Sequence, residues 1–298
     1  MAPFKNVMII GGSGNVGKPT VDALLKAGFN VTALTRKSSS ATFPSEVKVE
    51  SVDDGYPSDQ LIAVFKGQDA VVNLLPPVSV EQHNSIADAA AEAGVKRFIP
   101  SEFGSDTTNP RILELVPMFG HKTAITKYLK TKESSGLTWT AVVNGAFFDW
   151  GLQTGFLGFD LKTSTATIYD DGEAPLNATN ITDVGQSVAA ILSKPEETAN
   201  QFVFIQNIKT TQNQVLAALE KSTGKKWTVT HRSATEARQT GGQKLGKGDM
   251  SGIPDMIVGG IYSGDPAADF ATTRGLSNDL LGLKEIPLQQ LVDQAIKA

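Results

Sequence analysis

The chain has 298 residues, of which 40% are hydrophobic and 19% charged, which is typical of a globular protein with a substantial core. Its net charge of −4 disfavours a nucleic-acid surface, because no basic excess is present to neutralise a phosphate backbone. The absence of cysteine excludes disulfides, thiolate metal ligands and a cysteine nucleophile, and three dispersed histidines predict no metal site.

The amino-terminal stretch MAPFKNVMIIGG contains an apolar run that ends at two glycines. This run is too short for a signal peptide or a membrane span. We therefore expect a cytoplasmic protein without membrane contact.

The first half of the chain alternates between short β-rich runs and helical patterns. Strands are predicted at 5–10, 30–36, 47–52, 69–75, 95–101 and 137–144, and helices at 17–28, 59–67, 79–94 and 121–136. This alternation predicts an α/β protein with a doubly wound parallel Rossmann-type sheet and a smaller α+β substrate lobe. We place the NAD(P)-binding domain at 1–147 and the substrate lobe at 148–298, with 180–208 returning to the sheet.

The alternation loosens after residue 147. The stretch TATIYDDGEAPLNATNI predicts short strands around a turn at Asp171-Gly172. Residues 240–264 are rich in glycine, which predicts either a mobile surface loop or a lid over a substrate pocket. We expect a monomer or a homodimer.

Two phosphate-binding templates overlap in residues 11–20, GGSGNVGKPT. Gly12, Gly14 and Gly17 fit G-x-G-x-x-G, the dinucleotide fingerprint, while Gly12 to Lys18 fits most of a P-loop. A P-loop needs a hydroxyl directly after its lysine, but Pro19 stands there. The predicted strand at 69–75 also ends, in NLLPP, without a carboxylate for magnesium, so the nucleoside-triphosphate interpretation is rejected.

The dinucleotide interpretation has the required context, since the loop follows a strand and opens a helix. Its glycines allow a tight turn, a close approach to the pyrophosphate and close helix packing, and the amides of the helix start would hold the phosphates. The predicted cofactor-binding residues of the loop are Gly11, Gly12, Ser13, Gly14, Asn15, Val16 and Gly17.

The end of the second predicted strand indicates which cofactor binds. An NAD site usually has an acidic residue there, but this chain reads LTRKSSS, with Arg36 and Lys37 in its place. Two cations suit a 2′-phosphate, which a carboxylate would repel. We therefore predict NADP(H), the alternative being that Arg36 is a solvated loop charge.

Tyr128 and Lys132 match the Tyr-x-x-x-Lys pair of short-chain reductases. They lie roughly 10 Å or more along the helix from its start, whereas sites of open α/β sheets lie beyond the carboxyl ends of the strands. Lys122 is at the correct end, with Met118 where the tyrosine would be. A desolvated lysine beside the nicotinamide could act as an acid or base, and the alternative is an ordinary surface lysine.

Five motifs occur in one order: GGSGNVGK, LTR, KRFIPSEFG at 96–104, the lysine of FGHK, and VVNGAFF. In this the chain resembles the NmrA-like and isoflavone reductase-like family of atypical short-chain dehydrogenases, over roughly residues 5–210. The resemblance implies that Arg36 binds the 2′-phosphate and that Lys122 is the catalytic lysine and also contacts the cofactor. It also implies that Gln82 lies by the cofactor and that Phe147 packs beside the nicotinamide.

An aromatic cluster begins the second lobe. Its members are Phe147, Phe148, Trp150, Phe156 and Phe159. Such residues form either a hydrophobic core or a wall that stacks against an aromatic substrate.

Together these features predict an NADPH-dependent reductase of a small aromatic, quinone-like or conjugated substrate, with Lys122 as the acid or base. The same family includes NmrA-type regulators that bind dinucleotide without turnover and report redox state to a protein partner. An isomerase or cyclase that uses the cofactor structurally is a third interpretation.

Overall fold

The computed structural model describes residues 4–297. Within this range the chain forms two compact units. The first contains residues up to Phe103, Gly120–Val143 and Ile181–Val203, and the second contains Gly104–Phe119, Asn144–Asn180 and the residues from Phe204 onward. Unlike a single division at residue 147, this places 104–119 in the second unit.

The strands and helices follow one another along the whole described chain. The strands are β1 Asn6–Ile10, β2 Asn30–Arg36, β3 Lys48–Val52, β4 Ala70–Asn73, β5 Arg97–Ile99, β6 Thr138–Val143, β7 Ala146–Phe147, β8 Phe159–Asp160, β9 Thr165–Tyr169, β10 Leu176–Thr179, β11 Gln201–Phe204, β12 Ile208–Thr210 and β13 Thr228–Arg232. The helices are α1 Gly17–Lys26, α2 Ser58–Phe65, α3 Val80–Glu92, α4 Pro110–Leu115, α5 Gly120–Lys130, α6 Phe148–Gln153, α7 Ile181–Ser193, α8 Gln212–Thr223, α9 Ala234–Leu245, α10 Ile253–Ile261, α11 Phe270–Arg274, α12 Asn278–Leu281 and α13 Leu288–Ala295.

The first unit is built on a seven-stranded sheet in the order β11-β6-β5-β4-β1-β2-β3. The registers of β1 to β6 are parallel. Residues 7–10 of β1 are fully buried, as expected of a strand covered by helices on both faces. This arrangement confirms the predicted doubly wound Rossmann-type sheet.

The strand order reverses between β1 and its neighbour β4. In open parallel sheets, ligands bind outside the carboxyl ends of the strands at such a switch point. The chemistry of the first unit is therefore expected where β1, β2, β4 and β5 end.

The segment 180–208 supplies α7 and β11. Arg97 on β5 contacts this segment, because its buried guanidinium donates to Thr198 at 3.0 Å.

The second unit contains two three-stranded sheets, β12-β10-β7 and β13-β9-β8. The two strands around the Asp171-Gly172 turn, β9 and β10, join different sheets and do not form a hairpin. A second hydrophobic core lies in this unit, with Phe148, Phe159 and Tyr262 among its buried members.

The glycine-rich stretch 240–264 is not the predicted loop, because most of it lies in α9 and α10. A Cβ on Gly241 would lie 2.7 Å from the Gly252 carbonyl oxygen, and one on Gly259 would lie 2.6 Å from the carbonyl oxygen of Ala234. These glycines allow backbone-to-backbone packing of the two helices. The expectation was wrong because glycine density can indicate close packing as well as loop mobility.

No helix within residues 4–297 combines the length and apolar character needed to cross a membrane.

Candidate functional site

The glycine loop connects β1 to α1 at the switch point of the sheet. Gly11 adopts a φ of +79°, and the Gly14 N–H donates to the Gly11 carbonyl at 3.1 Å. A Cβ on Gly17 would lie 2.2 Å from the Gly11 carbonyl oxygen. Glycine at position 17 therefore allows the first turn of α1 to pack directly on the loop.

The start of α1 has the chemistry of a phosphate site. Val16 occupies the cap position, no side chain caps the helix, and no acidic residue lies in its first turn. Ser13, Gly14 and Asn15 at the tip of the loop are exposed. Amides at an uncapped helix start favour an anion, so these residues fit the pyrophosphate of a dinucleotide.

The end of β2 carries Arg36 and Lys37, both exposed. The end of the neighbouring β3 brings two carboxylates to this corner. Lys37 Nζ lies 2.7 Å from Asp53, and the Ser38 hydroxyl donates to Asp54 at 2.5 Å. Sequence reasoning missed both aspartates because they lie 16 residues further along the chain than Lys37 and Ser38, the residues they contact.

The beginning of α3 adjoins the glycine loop through the turn after β4. Gln82, the predicted cofactor residue, lies partly buried in the first turn, where its N–H donates to the Ser79 hydroxyl. Next to it, His83 is fully buried, and burial lowers its pKa. Its Nε2 lies 3.2 Å from the Pro76 carbonyl, and its Nδ1 lies 3.1 Å from the amide of Asn73.

These contacts define the protonation of His83. A carbonyl can only accept, so Nε2 carries the hydrogen and Nδ1 accepts from the Asn73 amide. The Oδ1 of Asn73 in turn accepts from the Leu75 N–H at 3.2 Å. This network fixes the turn after β4, whose Leu74 lies against Gly11. Sequence reasoning assigned no role to His83, although it follows Gln82 directly.

Lys122 lies in the first turn of α5 and is partly buried. Its Nζ donates to the backbone carbonyl of Glu102, which follows β5 in the motif FIPSEFG. Burial lowers the pKa of Lys122, and the negative charge of Glu102 opposes that effect. Glu102 itself is 1% exposed. The fold thus holds a half-buried lysine at the carboxyl edge of the sheet, beside a buried carboxylate that sequence reasoning did not assign.

Removing the Glu102 charge tests this electrostatic coupling. If protonated Lys122 acts as the acid, turnover falls as pH rises through its pKa, which burial places below the ordinary lysine value of about 10.4. Because the carboxylate raises that pKa, Glu102→Gln is expected to move the alkaline limb of kcat to lower pH. The pH profile of kcat measures the shift; an unchanged limb, or one displaced upward, would contradict the coupling.

Tyr128 and Lys132 have a structural partner. The Tyr128 hydroxyl lies 2.8 Å from Asp88 of α3, and Lys132 Nζ lies 2.5 Å from the same carboxylate. Both residues sit at or just beyond the carboxyl end of α5. Their shared contact joins α5 to α3.

The aromatic residues at 147–159 fall into two groups, both in the second unit. Phe148 and Phe159 are buried in its core. The ring of Trp150 lies edge-on to Phe147, with centroids 6.4 Å apart, and 5.3 Å from that of Phe156. The core interpretation therefore applies to Phe148 and Phe159, and Phe156 also packs against that core.

Trp150 and Phe156 line a cavity of about 400 Å³ within the second unit, which Tyr169, Pro254, Asp255 and Val258 also line. The ring of Tyr169 stacks on that of Tyr262, with centroids 5.4 Å apart and planes inclined by 17°. This volume is in the range of small-molecule sites, and its aromatic lining suits a flat ligand.

Comparison with known proteins relates this chain to a group of reductases. The sequence model described as the NmrA-like family matches residues 3–241. The chain is 38% identical to Oxidoreductase aprR of Aspergillus flavus, over 98% of each chain. It is 31% identical to phenylcoumaran benzylic ether reductase Betv6 of Betula pendula, over 76% of this chain and 77% of that protein.

Among solved structures, the binary complex of leucoanthocyanidin reductase with NADPH from Vitis vinifera matches with a TM-score of 0.79. The match covers 98% of this chain and all of that chain, at 18% sequence identity. A likeness at this identity establishes the shared fold.

Proposed function

The chain belongs to the NmrA-like family, and on that premise we propose that it is an NADPH-dependent reductase of a small aromatic, quinone-like or conjugated substrate. The observation that carries the proposal is the placement of three features along one edge of one sheet. The uncapped glycine loop follows β1, Arg36 ends β2, and Lys122 is anchored on the carbonyl of Glu102, three residues after the end of β5. The names of the Aspergillus and Betula relatives agree with a reductase.

The cofactor assignment rests on the chemistry of this edge. The amides at the start of α1 suit the pyrophosphate, and the guanidinium of Arg36 suits a 2′-phosphate. Lys37 forms an ion pair with Asp53, so we assign Arg36 the larger part of the contact with the 2′-phosphate. Gln82 would lie beside the cofactor, and Phe147 would pack against its nicotinamide.

Bound NADPH would supply a hydride to an electrophilic carbon of the substrate. The substrate then gains an electron pair, and its oxygen requires a proton. Lys122 would donate that proton from Nζ and recover one from solvent, so that each turnover consumes one NADPH and one proton. An ammonium carries three N–H donors, so anchoring one on the Glu102 carbonyl is compatible with donating another. The anchor holds Nζ in place, and burial makes its proton easier to release.

Arg36→Gln tests the 2′-phosphate contact. Losing a charged hydrogen bond is expected to weaken NADPH binding by about ten- to hundredfold while leaving NADH binding unchanged. Titrating both nucleotides into wild type, Arg36→Gln and Lys37→Gln measures the effect, and we expect a smaller loss for the lysine. An equal loss of affinity for NADPH and for NADH would show that Arg36 does not bind the 2′-phosphate.

NADPH oxidation against a panel of quinones and phenylpropanoids tests the activity. We expect turnover with at least one compound. Tight NADP(H) binding without turnover of any of them would instead favour an NmrA-type regulator that binds the dinucleotide without chemistry.

A further inference from the structure

The segment between β4 and α3, residues 74–78, lies directly against the glycine loop, and we call it the β4 turn. The Leu74 N–H donates to the Ile10 carbonyl at 2.9 Å. A Cβ on Gly11 would lie 3.2 Å from the carbonyl carbon of Leu74. Backbone atoms of the two segments are therefore in contact, and the position of the β4 turn limits where the glycine loop can lie.

Two adjacent prolines limit how the backbone can hold the β4 turn. Pro76 and Pro77 have no N–H and cannot donate a hydrogen bond, although their carbonyls still accept. Nε2 of His83 lies 3.2 Å from the Pro76 carbonyl, and Nδ1 of His121 lies 3.1 Å from the Pro77 carbonyl. A carbonyl only accepts, so both imidazoles donate. Two histidines therefore supply donors to consecutive carbonyls of this turn.

The two histidines differ in burial and in the helix that carries them. His83 on α3 is fully buried and also accepts from the amide of Asn73, itself fully buried. Removing the imidazole would leave that amide without its acceptor. His121 is exposed in the first turn of α5, directly before Lys122, and water can replace its contact. The β4 turn thus joins the glycine loop to the helix that carries Lys122.

We propose that His83 and His121 are positioning residues for the cofactor site, which hold the β4 turn against the glycine loop. The proposal rests on the proposed function for the glycine loop as a dinucleotide site. Molecules in which the turn has moved would not present the loop correctly, and the apparent affinity falls by the fraction that remains competent. The loop would bind the pyrophosphate, which NADP⁺ and NAD⁺ share. Both affinities therefore depend on the two histidines by the same factor, unlike a contact with the 2′-phosphate.

Calorimetric titration of the full chain with NADP⁺ and with NAD⁺ tests the proposal. Methionine and glutamine are unbranched side chains of similar length, but only glutamine can both donate and accept. His83→Met is expected to weaken both nucleotides by about ten- to hundredfold, and His83→Gln is expected to recover most of that loss. For the exposed contact, His121→Met is expected to weaken both by about two- to fivefold.

His231→Met is the matched control. His231 is an exposed histidine of β13 whose Nδ1 lies 3.3 Å from the carbonyl of Asp170, and it belongs to the second unit. We expect wild-type affinity for both nucleotides in this variant. Thermal unfolding of every variant shows which of them fold.

Wild-type affinity in His83→Met or in His121→Met would overturn the proposal. A loss confined to NADP⁺ would do the same, as would a glutamine variant as weak as the methionine variant. If His83→Met does not fold, the retained affinity of His83→Gln and the loss in His121→Met decide the question. NADPH oxidation, measured separately, distinguishes the two proposals. Turnover with unchanged affinities removes only the role of the histidines, whereas the expected losses without turnover of any compound remove only the reductase activity.

Discussion

Replacing Lys122 by methionine is expected to lower kcat by about 10²- to 10⁴-fold, the usual contribution of a positioned general acid. Methionine keeps the length and apolar character of the lysine stem but has no proton to give. The glycine loop and Arg36 do not depend on the Lys122 ammonium for their position, so we expect NADPH affinity to change by less than about tenfold.

The matched control is Lys127→Met, because Lys127 is an exposed lysine on the same helix. Steady-state kinetics and nucleotide titration of both variants separate kcat from binding. A Lys122→Met enzyme with wild-type kcat would remove Lys122 from the mechanism. An equal loss in Lys127→Met would point to a general effect of charge on α5.

Gly17→Ala is expected to abolish tight NADPH binding and to lower thermal stability. The new Cβ would lie 2.2 Å from the Gly11 carbonyl oxygen and 2.5 Å from the carbonyl carbon of Gly12. Both are backbone atoms, so the loop and the first turn of α1 must separate. Overpacking of this kind costs roughly 1–3 kcal/mol, and the displaced amides no longer converge on a phosphate.

Gly55→Ala controls for the loss of a glycine, because no atom lies within 4 Å of its added Cβ. Thermal unfolding and NADPH titration of the two variants give the comparison. Wild-type NADPH affinity in Gly17→Ala would show that the close approach of α1 to the loop is not needed for binding.

The sheet and the glycine loop were predictable because their signals are local. β1 is a continuous apolar run that ends in glycines, and Pro19 together with the carboxylate-free end of the predicted strand at 69–75 excluded the competing P-loop. The position of Lys122 followed from its place at the start of a predicted helix. The resemblance to the NmrA-like and isoflavone reductase-like family, which rested on short motifs, is confirmed by the matching family model and relatives.

The partners of these residues could not be predicted, because strand pairing and loop closure bring them together. Asp53 reaches Lys37 through the pairing of β2 with β3. The carbonyl of Glu102 accepts a hydrogen bond from Lys122, which lies 20 residues further along the chain. The prediction of a loop at residues 240–264 was wrong for another reason. Helix–helix packing determines the conformation of Gly241 and Gly259, whereas the glycine content of this stretch alone suggests a loop.

Hydride transfer from NADPH that carries deuterium at both C4 positions of the nicotinamide tests the central claim most directly. The protein is incubated with this cofactor and the panel of quinones and phenylpropanoids, and the products are analysed by mass spectrometry. A reductase places one deuterium on the product carbon, and Lys122→Met makes that product far more slowly. Tight binding of NADP(H) with no deuterated product from any compound would contradict the account.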